Sequence, residues 1–139
     1  MSDSDFMAFE QIKQLKARYF RFLDTQDWDA LSEVFTKDAI LQWGPEAGQV
    51  MEGRDAILAG LIANLKGAVT CHQGHMPEIE LIDADHATGI WAMTDRVDHP
   101  DYLLIGYGHY HEEYLRQDGR WKIRRLKLTR LHEERTLKN

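Results

Sequence analysis

Apolar residues recur every three or four positions at the start of the chain. Phe6, Phe9, Ile12, Leu15, Tyr19, Phe22 and Leu23 form one stripe, and the spacing predicts an amphipathic helix over residues 6–23. In "TQDWDALSEVF" the pattern restarts, with Thr25 or Asp27 available as a cap and Trp28, Leu31 and Phe35 on one side. "AILQW" reads as a short strand and "GPEAGQ" as a turn or loop. "GRDAILAGLIANLKG" reads as a third helix, entered at Gly53 and closed by Gly67.

From Val69 the period changes. "VTCHQGH", "EIELI", "ATGIWAMTDRV", "YLLIGYGHYHEEYLR" and "WKIRRLKLTRL" read as strands, with turns at "DADH", "DHPD" and "QDGR", the last an Asp-Gly hairpin. Links this short force neighbouring strands to run antiparallel. Helices gathered first and a meander gathered last predict an α+β domain, a curved sheet with helices on its concave side. The closing "EERTLKN" reads as a loose tail, leaving a core over about residues 6–132.

The length of 139 residues fits one domain with a real core. Seventeen basic residues against 23 acidic ones give a net charge of −6, which offers no field to attract a phosphate backbone, so nucleic acid is not an expected partner. The one basic stretch, "RWKIRRLKLTR", alternates charged with apolar residues and reads as a solvated strand face. A single cysteine, Cys71, suits a reducing compartment. With no apolar run long enough for a bilayer, the expected location is cytoplasmic, away from membranes.

Candidate chemistry lies in a few polar residues among apolar ones. Alternation along "IWAMTDRV" puts Asp95 on one face with Trp91, Met93 and Val97. A carboxylate there either meets a partner, carries a raised pKa, or is twisted towards water beside Arg96. Asp24, at the end of the first helical stripe, either points towards the sheet or caps the next helix. Tyr19 brings a phenol into the same interior, as plain core or as part of a pocket. In "TCHQGHMPEIEL", His72 falls on the opposite strand face from Cys71, Gln73 and His75, so His72 and His75 are poorly placed to bind one metal together. His109 and His111 share a face, and they alone keep a metal reading open.

Together, "RYFRFLDTQDWDALSEVFTKDA", "TCHQGHMPEIEL" and "LLIGYGHYHEEYLRQDGRWKIRRLKL" resemble the SnoaL-like domains of the nuclear transport factor 2-like superfamily. The likeness runs from about Phe9 to Leu131. It is closest to the branch of scytalone dehydratase, bile-acid 7α-dehydratase and hexachlorocyclohexane dehydrochlorinase. The resemblance implies a cone-shaped α+β barrel, with three N-terminal helices packed on a curved, mainly antiparallel sheet that encloses a pocket. It also implies a homo-oligomer, commonly a trimer with a dimer as the alternative, and a His/Asp pair working without metal or organic cofactor. In the dehydratase pattern a tyrosine precedes the aspartate by five on the first helix, which fits Tyr19 and Asp24. His72 then takes the place of the base and Asp95 that of the second acid. His75 falls where the family varies, at the pocket edge or in packing.

On that reading His72 takes a proton from carbon beside a carbonyl and returns it to a departing hydroxyl. Asp24 holds the ring, Tyr19 donates to the oxygen where charge builds, and Asp95 holds a water or a substrate hydroxyl. Trp43, Trp91 and Met93 would form an apolar wall for a small hydrophobic cyclic, polyketide-like or steroid-like substrate. The position beside the dyad on the first helix is Tyr19, not the cation that assists halide departure. This favours a dehydratase over a dehydrochlorinase. An isomerase or cyclase, or a ligand-binding or assembly module without catalysis, is the alternative on this fold.

Overall fold

The computed structural model describes residues 1–44 and 48–139. The chain opens with helix α1 (Asp3–Asp24), started by a capping box in which Ser2 and Asp5 satisfy each other's backbone N–H groups. Its stripe buries Ile12, Leu15, Lys16, Tyr19 and Leu23. Asp27 caps the short α2 (Trp28–Ser32) by accepting from the Ala30 amide. Two strands follow, β1 (Phe35–Trp43) and β2 (Gln49–Glu52), and then helix α3 (Arg54–Leu65). The remainder is a meander: β3 (Val69–Leu81), β4 (His86–His99), β5 (Tyr102–Gln117) and β6 (Arg120–Leu137).

One six-stranded sheet results, in the order β2-β1-β6-β5-β4-β3. All neighbours are antiparallel except β1 and β6, which run parallel. The sheet is curved but ends at β2 and β3 without closing, so the expected barrel is an open one. Helix α1 packs over β3 and α3 against β1. The expected block of three leading helices is interrupted, because α3 comes after the β1–β2 hairpin.

Four other expectations shift for local reasons. Phe35 begins β1 instead of ending a helix, which leaves α2 a single turn and a half. The strand β2 is largely exposed, so it carries no alternation to read. "VTCHQGH" and "EIELI" are one strand, β3, bent where the register to β4 slips between His75 and Glu78. There Met76 has φ 45° and Pro77 has no N–H to pair. The tail is no tail: residues 133–137 continue β6 and pair with β5, out to Leu137 opposite Tyr102. The centre of the expected "GPEAGQ" turn, residues 45–47, lies outside the described residues. The Asp-Gly hairpin holds, with Asp118 at φ 51° and Gly119 at φ 76°, the two left-handed residues that a tight two-residue turn requires.

Candidate active site

The site grows from the C-terminal end of α1. Asp24 is the last residue of that helix, which lies over β3, so its carboxylate lands on the strand. It accepts from the Thr70 hydroxyl at 2.9 Å, from the His72 backbone N–H at 2.9 Å, and meets His72 Nδ1 at 2.7 Å. A carboxylate accepts only, so Nδ1 carries the proton in this contact, and in the neutral ring Nε2 keeps its lone pair. Among the described residues Nε2 makes no hydrogen bond; Asp95 Oδ2 lies 4.0 Å from it.

The sheet register explains why Asp95 is there. Asp95 stands directly across from His72 on β4, and Gly106 stands across from Asp95 on β5. Only 3% of Asp95 is exposed, and it is bound in fork fashion by Arg130, with Nη1–Oδ1 at 2.6 Å and Nη2–Oδ2 at 3.0 Å. A Cβ at Gly106 would collide with both Arg130 Nη1 and Asp95 Oδ1, so this bridge needs the glycine for space. Burial works against the Arg130 charge, but Asp95 outweighs it and holds the guanidinium above its ordinary pKa.

These groups border a cavity of about 720 Å³ between the helices and the sheet. Its apolar wall comes from Leu23, Trp43, Leu61, Val97, Leu104 and Leu128, among others, and its polar groups include Tyr19, His72, Asp95, Tyr110 and Arg130. Tyr19 and Tyr110 are buried, and their rings meet edge to face at 6.2 Å. Among the described residues neither hydroxyl has a hydrogen-bond partner. Burial, reinforced for Tyr19 by Glu112, Asp24 and Asp95, raises both phenols far above their ordinary range. They therefore enter the cavity as neutral donors. At the far end β6 adds Glu133 and Arg135 from the stretch expected to be loose. The register slips past Leu131, which lets Arg130, Glu133 and Arg135 all face inward.

Of the residues singled out by sequence, Tyr19, Asp24, His72 and Asp95 come together, and Trp43 lines the cavity. Trp91 and Met93 face inward but do not reach it. Trp91 is packed with Phe20 against Gly74 and donates from Nε1 to the Tyr114 hydroxyl at 2.8 Å, and Met93 lies under Arg130. His75 is exposed on the outer face, not at a pocket edge. The rings of His109 and His111 lie 6.3 Å apart, and His111 Nε2 meets Thr129 Oγ1 at 3.2 Å. Among the described residues, no three His, Cys, Asp or Glu side chains are grouped to hold a metal ion.

Arg130, Tyr110 and Thr70 were missed. Arg130 had a signal: Leu126, Leu128 and Arg130 share alternation parity, so the basic stretch points one guanidinium along the apolar face. Its presence removes the ground on which halide departure was set aside, because a cation does stand in the cavity, supplied by β6 instead of α1.

The SnoaL-like domain family matches this chain over residues 7–127, and the chain belongs to that family. A probable cyclase of Gibberella zeae is 25% identical over 134 residues, covering 87% of this chain and 89% of its own. Among solved structures, a candidate scytalone dehydratase from Novosphingobium aromaticivorans superposes with a TM-score of 0.89 at 21% identity, covering 96% of this chain and 91% of that one. A hexachlorocyclohexane dehydrochlorinase, LinA type 2, gives 0.84 at 20% identity, covering 97% and 93%. At those identities the two structures speak for the fold alone.

Proposed function

We propose that the protein is a cofactor-independent lyase that removes water from a small hydrophobic cyclic β-hydroxy carbonyl compound, of polyketide or steroid-like character. The observation that carries this reading is the His72 ring, fixed through Nδ1 by Asp24 at 2.7 Å, on the wall of a cavity that combines apolar side chains with a few polar groups. In the proposed reaction Nε2 takes the proton from the carbon beside the carbonyl. The carbonyl oxygen, now an enolate, accepts hydrogen bonds from Tyr19 and Tyr110. The enolate then expels the β-hydroxyl: the C–O bond breaks, the double bond forms, and the imidazolium returns its proton so that water leaves. Asp24 steadies the transient imidazolium, and the Asp95–Arg130 pair is placed to bind a substrate hydroxyl.

Two features favour this over a non-catalytic ligand carrier. Asp24 and His72 are in direct contact and partly buried, and Trp91 and Met93 leave the cavity free. Arg130 favours one second reading, elimination of an anionic leaving group such as halide, by the same base. The test is a panel of cyclic β-hydroxy ketones and their β-chloro counterparts, followed by enone absorbance. The expected result is turnover of the hydroxy series, reduced by roughly 10²–10⁴-fold in His72→Ala. Undiminished turnover in that variant removes His72 as the base.

A further inference from the structure

Beneath the cavity floor lies a charge that the proposed reaction does not use. Lys16, fully buried on α1, places its ammonium 3.7 Å from the ring centre of Tyr110, 3.9 Å from that of Tyr19 and 4.8 Å from that of Phe20. Glu112 Oε2 accepts from Nζ at 2.7 Å. The other Glu112 oxygen accepts from the Tyr114 hydroxyl at 2.7 Å, and that hydroxyl in turn accepts from Trp91 Nε1. As an anchor the pair is inefficient, since two desolvated charges return little net stability. Its distinctive product is a positive charge against the faces of the same two phenols whose hydroxyls have no hydrogen-bond partner among the described residues.

We infer that Lys16 is a positioning residue that makes Tyr19 and Tyr110 a joint binding place for an oxyanion, strengthening both hydroxyls as donors through their rings. A cation on the ring face stabilises electron density that a phenol takes up when it donates to an anion, and in a water-free surrounding that stabilisation is large. Glu112 acts in the opposite sense, raising both phenols. Its charge is shared with Lys16 and Tyr114, which leaves the ammonium as the group pressed on the rings. The inference rests on the reading of the two tyrosines as donors to substrate oxygen, and it names the substrate feature they select: an oxygen that becomes anionic.

The test uses 4-nitrophenolate, an oxyanion that reports its own charge by absorbance, against nitrobenzene, of similar shape and neutral. Wild type should bind the anion in preference to the neutral ring. Lys16→Met combined with Glu112→Gln removes both charges and leaves no unpaired ion. It should lower that preference by roughly tenfold or more while nitrobenzene binds as before. Lys16→Gln with Glu112→Gln replaces it if the first pair does not fold. In Tyr19→Phe/Tyr110→Phe the preference should already be lowered to what the cavity's other cations supply, and the Lys16 and Glu112 changes should add nothing. An equal preference in wild type and charge-free variant, equal weakening of both ligands, or no preference in wild type would overturn the inference. Because binding is read and not turnover, a preference kept by a protein that dehydrates nothing would sink the lyase reading alone.

Discussion

Asp24 accepts three hydrogen bonds from one stretch of β3, two of them from His72, and in doing so fixes both where the imidazole sits and which nitrogen faces the cavity. Across the sheet the same economy of contacts holds Asp95: Arg130 grips both of its oxygens, and Gly106 leaves the room. Gly106→Ala should therefore push the guanidinium off the carboxylate. The expected cost is about 1–3 kcal/mol, read as a lower midpoint in urea unfolding with an unchanged slope. A variant as stable as wild type would mean that the pair has another way to close. Sequence could place Asp95 on the inward face, but not name its partner. The separation of 35 positions between Asp95 and Arg130 is bridged only by the pairing of β4, β5 and β6.

Among the elements, the most consequential is the last. Residues 133–137 look like tail because charge outweighs apolar content there, yet they pair with the start of β5 and bring Glu133 and Arg135 to the cavity. Hydrogen exchange should find β5-bonded amides of this segment protected to an extent comparable with the middle of β6. Exchange as fast as in an unstructured peptide would restore the tail. The helices and the β3–β6 meander were legible because their apolar residues keep a period. What period could not show was β2, exposed along most of its length, and the bulges near Met76 and Leu131, where one extra residue reverses the faces beyond it.

At the scale of the whole molecule, one buried ion pair ties α1 to β5 beneath the cavity. Lys16 shares the apolar stripe of α1 with Ile12, Leu15, Tyr19 and Leu23, so the helix face that makes the core also carries a cation into it. Burial lowers the Lys16 ammonium from 10.5 to about 8, against the pull of Glu112 in the other direction. The unfolded chain keeps that proton up to 10.5. Between about 8 and 10.5 the unfolded state thus binds more protons, and this group makes stability rise with pH, its contribution being least favourable below 8. Urea unfolding across that window should show wild type gaining on Lys16→Met/Glu112→Gln. A constant difference would mean that the lysine keeps its proton throughout. The same fold that places this charge also places the His72–Asp24 pair, and the lyase reading depends on how that pair shares one proton.

That sharing can be seen directly in the ¹⁵N–¹H correlation spectrum of the His72 imidazole, taken with the ring neutral, in wild type and in Asp24→Asn. Wild type should show the proton on Nδ1 and an unprotonated Nε2, and the preference should weaken or reverse in Asp24→Asn, where an amide can donate to Nδ1. A proton found on Nε2 in wild type would contradict the account, because the nitrogen facing the cavity would have no lone pair with which to act as a base.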